Sequence, residues 1–265
     1  MAIAKQLIWV ACCLALSPMN TFAQQSDPPP EPSSASRSPI SVIQYGEMHE
    51  VIGQKQHQAR VRLGDLLKQP HFFAVGAIEK LQGEITIDSS RAIVTTVDSN
   101  KLPHKYDEQP ENTNATLLIG AYVEHWSEHP VDAWLTDEEL DAFIERMANA
   151  NGLDTSKPFM FMIAGEFSKV DLHVINGACP VHARIRKLTI PVENSPYEAT
   201  MDFVSGKVIG VFAKDAAGQL THPSTSTHKH LIYTRPGLSQ LLTAHAESLN
   251  VNAGCKLSIP RVAGR

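Results

Sequence analysis

The sequence predicts an α+β fold, on three observations. Its clearest helical signals fall in the first part of the chain, and β-type segments crowd the second. The two kinds do not alternate in the strand–helix–strand manner of a parallel α/β sheet. No internal repeat divides the chain into equal units.

Taken in order, the chain opens with an export signal. Lys5 supplies the positive start, Leu7 to Leu16 an apolar core of about ten residues, and Thr21-Phe22-Ala23 a small-residue cleavage site. The apolar run is too short to span a bilayer, so residues 1–23 read as a leader that leaves no membrane anchor once cleaved. Cys12 and Cys13 lie inside the apolar core instead of after it, which argues against a lipoprotein. The protein is therefore expected in the periplasm or outside the cell. Residues 24–39 are rich in Pro and Ser, lack side chains that could pack, and read as a semi-extended linker. The folded part starts near Ile40 and spans about 225 residues, enough for a sizeable core. We divide it into an α+β part, 40–155, and a β-rich part, 156–265.

Residues 62–69 suggest a short helix stopped by Pro70. A strand is expected over 71–81, then a hairpin of 84–88 and 92–98 around Ser89-Ser90. Residues 99–114 are polar, carry Pro103 and Pro110, and read as an exposed loop; 116–126 is another strand. The clearest helix starts at Thr136, where Thr136 and Glu139 make a capping box. Leu140, Phe143, Ile144 and Met147 mark its apolar face, and Asn151-Gly152 ends it. Beyond it, strands are expected at 159–167, 170–176, 183–191, 197–204, 207–213, 227–234 and 241–249, with a hairpin turn at Ser205-Gly206.

The formal charge is −5, and becomes −6 after leader removal because Lys5 leaves and no acid does. No basic patch or basic helix appears, so nucleic acid and anionic membrane are poor partners. Cys179 and Cys255 remain. They are either a disulfide, worth at most about 4 kcal/mol for so long a loop, or two separate buried thiols.

The most informative residues are His228, His230 and His245. Side chains alternate along a strand, so His228 and His230 share a face and Lys229 takes the other. If the chain folds back about Gly237-Leu238 in the segment Arg235-Pro236-Gly237-Leu238, residue 230 pairs with 245, and opposed Cβ atoms stand about 5 Å apart. Three imidazoles could then share one metal with positions left open, as in a catalytic site. Zinc, copper, iron or nickel would suit them. Such a Lewis acid needs a proton donor or acceptor nearby. Glu84, after Leu81-Gln82-Gly83 at the start of a strand, is the candidate; a surface glutamate beside a turn is the alternative reading.

These residues resemble a known family. Leu63-Gly64-Asp65-Leu66-Leu67 and the run from Val75 to Asp88, with Gly83-Glu84 at its turn, are similar to the N-terminal signature of the α-acetolactate decarboxylases. Ala164-Gly165-Glu166-Phe167-Ser168 resembles that family's "Gly-Thr-Phe-Ser" strand. Thr227-His228-Lys229-His230-Leu231-Ile232 resembles its "His-x-His-Phe-Ile" zinc motif, and Ala244-His245-Ala246-Glu247 stands where its third zinc histidine lies. The likeness covers roughly residues 42 to 250, in the same order.

The resemblance implies a mixed sheet packed with helices and a second β-rich sheet or barrel that carries the metal. It implies a dimeric zinc enzyme whose small-molecule substrate is 2-acetolactate or a related 2-hydroxy-3-oxo acid and whose products are acetoin and carbon dioxide. His228, His230 and His245 would be the zinc ligands. Zinc would stabilise the enediolate, which Glu84 would protonate. The family also places an arginine where this sequence has His173. Either Arg184 or Arg186 supplies that charge from a neighbouring strand, or the substrate differs. The tail that carries a second active-site glutamate in the family has no counterpart before Arg265, and the segment His173 to His182 has none either. The runner-up is a non-catalytic exported protein that kept this fold to bind a metal or ligand. A third reading is another metal-dependent lyase or hydrolase that uses metal-bound water.

Overall fold

A computed structural model describes residues 41–262, apart from 224, 236 and 238. The expected leader and linker, 1–39, lie outside the described residues, as do Pro236 and Leu238 of the expected turn. Among the described residues no helix is long and apolar enough to cross a membrane.

The first sheet has seven antiparallel strands. They are β1 (Ile43–Tyr45), β2 (Val61–Arg62), β3 (Phe72–Ile78), β4 (Glu84–Asp88), β5 (Arg91–Val97), β6 (Pro103–Lys105) and β7 (Asn114–Tyr122), with helix α1 (Leu63–Leu66) after β2. β3 is central, flanked by β7 and β4, and every one of its residues is buried. That is why it reads as the unbroken apolar run Phe-Phe-Ala-Val-Gly-Ala-Ile.

The second sheet has six strands in the order β10-β11-β12-β9-β13-β8, plus a β10–β9 pairing. These are β8 (Trp126–Pro130), β9 (Phe159–Val174), β10 (Tyr197–Phe212), β11 (Thr227–Thr234), β12 (Leu241–Val251) and β13 (Lys256–Pro260). The pairings β9–β10–β11–β12–β9 return on themselves, though the sheet is not a clear barrel. Helix α2 (Asp137–Ala150) lays Leu140, Phe143, Ile144 and Ala148 on its outer face, against Phe159, Leu231 and Tyr233. The fold is α+β, as expected, with strands in the large majority.

Alternation sorts the first sheet into two faces. Phe72, Ala74, Ile85, Ile87 and Val94 pack with α1. Phe73, Val75, Ile93 and Ile119 point the other way and meet Met160, Ile209, Val211 and Ile232 of the second sheet. Each fully buried side chain of this size contributes about 1.5–3 kcal/mol, so the shared layer fixes how the sheets face each other. The same period sends Glu84 and Thr86 of β4 into the space between the sheets, since Ile85 and Ile87 go outward.

Several expectations need correcting. The expected strand 71–81 stops at Ile78, because Lys80 and Leu81 adopt left-handed backbone and turn the chain into Gln82-Gly83. Residues 170–176 are not a separate strand; β9 runs through from Phe159 to Val174. Ser205-Gly206 is not a hairpin turn, because β10 also runs unbroken and pairs with β9 from end to end. Gly206 serves close approach instead: a Cβ there would stand 2.3 Å from the Ile232 carbonyl oxygen. The expected strand 183–191 does not form: its first residues belong to helix α3 (Pro180–Arg186), started by Pro180 in its first turn and stopped by left-handed Lys187. Cys179 and Cys255 are separate buried thiols, so the disulfide alternative falls.

Candidate metal centre

β11 and β12 pair antiparallel with His230 directly opposite His245, the register expected from a fold-back near residue 237. His228 lies on the same face of β11, two residues before. The ligand atoms of His228, His230 and His245 all fall within 4.8 Å of one another, and all three residues are buried. Lys229 points to the opposite face, where its ammonium pairs with Asp137 of α2 at 3.0 Å.

Desolvation holds the pKa of each imidazole down, and neighbouring histidines push the same way. His228 and His245 fall well below 6.5, and His230 falls to about 3. The rings are therefore neutral near pH 7, the form that binds a cation. Their far nitrogens are anchored in places: His230 Nδ1 shares a hydrogen bond with Thr86 Oγ1 at 3.2 Å, and Thr86 is in turn hydrogen-bonded to Thr243. His230 Nε2 and His228 Nδ1 are buried with no hydrogen-bond partner. Orphaned nitrogens cost free energy in a folded core, and a bound metal would satisfy them. The donor set thus fits a metal ion.

The first sheet contributes Glu84, at the start of a central strand between Ala77 and Thr95. It enters at a close approach: a Cβ on Gly83 would meet the Thr95 carbonyl oxygen at 2.3 Å. Glu84 is 3% exposed, so the surface-glutamate reading fails. Its Oε2 stands 3.6 Å from His230 Nε2, and its Oε1 accepts the Ile175 N–H at 3.2 Å. Burial raises its pKa to about 8, against the opposing pull of the Ile175 hydrogen bond. A carboxyl so placed carries its proton at neutral pH.

Arg184 and Arg186 lie in a short helix, not a strand. Arg184 is half exposed and pairs with Glu198 and Glu247, so its guanidinium reaches the cluster only through Glu247. Arg186 is exposed at the end of α3. His173 stands inside the site: it pairs with His245 across β9 and β12, its ring centroid lies 4.8 Å from that of His245, and it is 2% exposed. His222 went unnoticed in the sequence. It sits on the loop before β11, with its ring centroid 5.1 Å from that of His245. A lone histidine beside Pro223 carries no periodic signal, and only the fold brings it there.

Comparison with solved structures gives a consistent picture. Over 84% of this chain and 86% of theirs, it matches α-acetolactate decarboxylase from Bacillus subtilis at 16% identity and a TM-score of 0.61. With the same coverage it matches acetolactate decarboxylase from Bacillus subtilis subspecies spizizenii at 15% identity and a TM-score of 0.63. A Staphylococcus aureus protein of unknown function, described as similar to α-acetolactate decarboxylase, matches at 11% identity and 0.61. No family model matches the sequence, and no curated protein does. At these identities the likeness speaks for architecture, and this chain has the fold of the acetolactate decarboxylases.

Proposed function

We propose that this protein is an exported, acetolactate decarboxylase-like metalloenzyme. It converts 2-acetolactate, or a related 2-hydroxy-3-oxo acid, into acetoin and carbon dioxide, with zinc on His228, His230 and His245. One observation carries the reading: orphaned imidazole nitrogens converge between two sheets beside a buried, proton-bearing carboxyl. Bound there, zinc would supply a Lewis acid for the negative charge that develops on the substrate's oxygens.

The chain's own residues do the rest. Thr86 orients the His230 ring. The apolar layer of Phe73, Ile93, Ile209 and Ile232 limits water beside the site. The bond from the carboxylate carbon to the hydroxyl-bearing carbon breaks, and its electron pair stays with the latter. Glu84 then gives that carbon a proton, and burial keeps the carboxyl able to do so near neutral pH.

The test is metal analysis of the purified protein with an acetoin assay. Wild type should hold about one zinc per chain and release acetoin, and His230→Ala should lose the metal. Zinc-loaded protein inert on acetolactate overturns the substrate; full metal retention by His230→Ala overturns the ligands. The second reading, a binding protein on the same fold, is favoured by Arg184, whose guanidinium is occupied by two glutamates. Glu84→Gln separates the two, since a binding protein keeps its ligand affinity and an enzyme loses turnover.

A further inference from the structure

We propose that His222 is a fourth, exchangeable ligand of this centre: its ring takes a position that His228, His230 and His245 leave on the metal, and yields it to substrate. The inference rests on the reading of those three histidines as metal ligands.

The His222 ring stands near the others at almost their own spacing. The ring centroids of His228, His230 and His245 lie 5.0 to 5.5 Å apart. That of His222 lies 5.1 Å from His245 and 6.3 Å from His228, at interplanar angles of 82° and 65°. It therefore stands against the edge of the triangle that these two make, just outside the set of three. The three come from one face of β11 and β12, and the loop before β11 brings His222 up to them from outside both strands.

That loop is anchored on either side of His222. Before it, Leu220 packs in the layer shared by the two sheets, and Thr221 is fully buried. The Met48 and His49 N–H groups donate to the carbonyls of Gln219 and Gly218 at 3.1 and 2.7 Å, and the Gly218 N–H donates to the Thr221 carbonyl at 2.8 Å. After it, Asp141 of α2 accepts the Ser226 N–H at 2.6 Å and the Thr227 hydroxyl at 2.9 Å. His222 is carried between these anchors, partly buried. His173 has Glu247 and His230 has Thr86, but among the described residues none hydrogen-bonds the His222 ring. A neutral imidazole so held has a lone pair to give to a metal. The strand histidines are fixed by their ladder. A ligand on a loop can leave by turning its side chain, and a catalytic centre needs one position that opens to substrate.

The probe is cobalt(II) in place of zinc, because its spectra report the number and kind of its ligands. Cobalt-loaded wild type should show four shifted imidazole N–H proton resonances, and His222→Ala three. Zinc affinity, measured by competition with a chelator, should fall at least about tenfold in His222→Ala. His222→Cys should add a near-ultraviolet sulfur-to-cobalt charge-transfer band, which arises only if residue 222 touches the metal. Adding 2-hydroxy-2-methylpropanoate, an α-hydroxy acid able to chelate the ion, should reduce the four resonances of wild type to three. Three resonances in untreated wild type, unchanged zinc affinity in His222→Ala, or cobalt-loaded His222→Cys without the band overturns this inference alone. A count that stays at four with the acid bound overturns the exchange. Wild type that binds no cobalt overturns the metal reading with it.

Discussion

Glu84 shows how a single position can carry both chemistry and a cost. Its side chain is polar, yet the strand period places it inside, between Ile85 and the turn at Gly83. Burial raises its pKa from 4.5 to about 8 in the metal-free protein. The folded value lies above the unfolded one, so the folded state holds the extra proton between them. The stability this contributes is fully present below about 4.5 and is lost as pH rises through about 8. Chelator-treated protein should therefore show a falling urea midpoint from pH 7 to pH 9, and Glu84→Gln should hold a flatter midpoint over that range. Equal slopes in the two proteins would show that Glu84 is ionised in the fold. The sequence showed Glu84 as a candidate through its place after Gly83, but not its burial. Burial depends on a second sheet whose strands lie beyond residue 125.

At the scale of elements, local signals were reliable where side chain and backbone satisfied each other within a few residues. Helix α2 is the case in point: the Thr136 hydroxyl accepts the Glu139 N–H at 3.2 Å, and the Glu139 carboxylate accepts the Thr136 N–H at 2.9 Å. Thr136→Ala should cost about 1 kcal/mol, read as a lower urea midpoint with an unchanged slope. No loss would mean that docking on the second sheet, not the cap, holds the start of α2. The His228–His230–His245 register was legible for a related reason, since it follows from alternation and one fold-back. Long-range pairing was not legible. Ser205-Gly206 has the residues of a turn, yet β9 and β11 flank β10 there and hold it extended. Helix α3 was missed because its alternating apolar residues, Val181, Ala183 and Ile185, mimic a strand. Pro180 in the first turn was the signal that could have found it.

Taken whole, the molecule places its most polar buried cluster between two sheets whose shared layer is otherwise apolar, and this couples folding to protons and metal. In the fold His230 has a pKa of about 3, and His228 and His245 also lie well below 6.5. The unfolded chain takes up protons on these rings below about 6.5, and the folded chain does not. Stability from the cluster is therefore present above about pH 6.5 and declines as pH falls toward 3, by at most about 1.4 kcal/mol per pH unit for each ring. A metal that binds only the folded form acts in the opposite direction, adding about 2.7 kcal/mol when free metal is a hundred times its dissociation constant. Because the folded rings resist protonation, protons compete with zinc only at low pH. The rise in thermal midpoint on adding zinc should therefore persist from pH 7 down to about pH 5, where an exposed histidine site would already have failed. Thermal unfolding with and without zinc across that range, repeated on His230→Ala, decides the matter. Protection that vanishes near pH 6.5, or survives in the variant, would mean that the metal sits elsewhere.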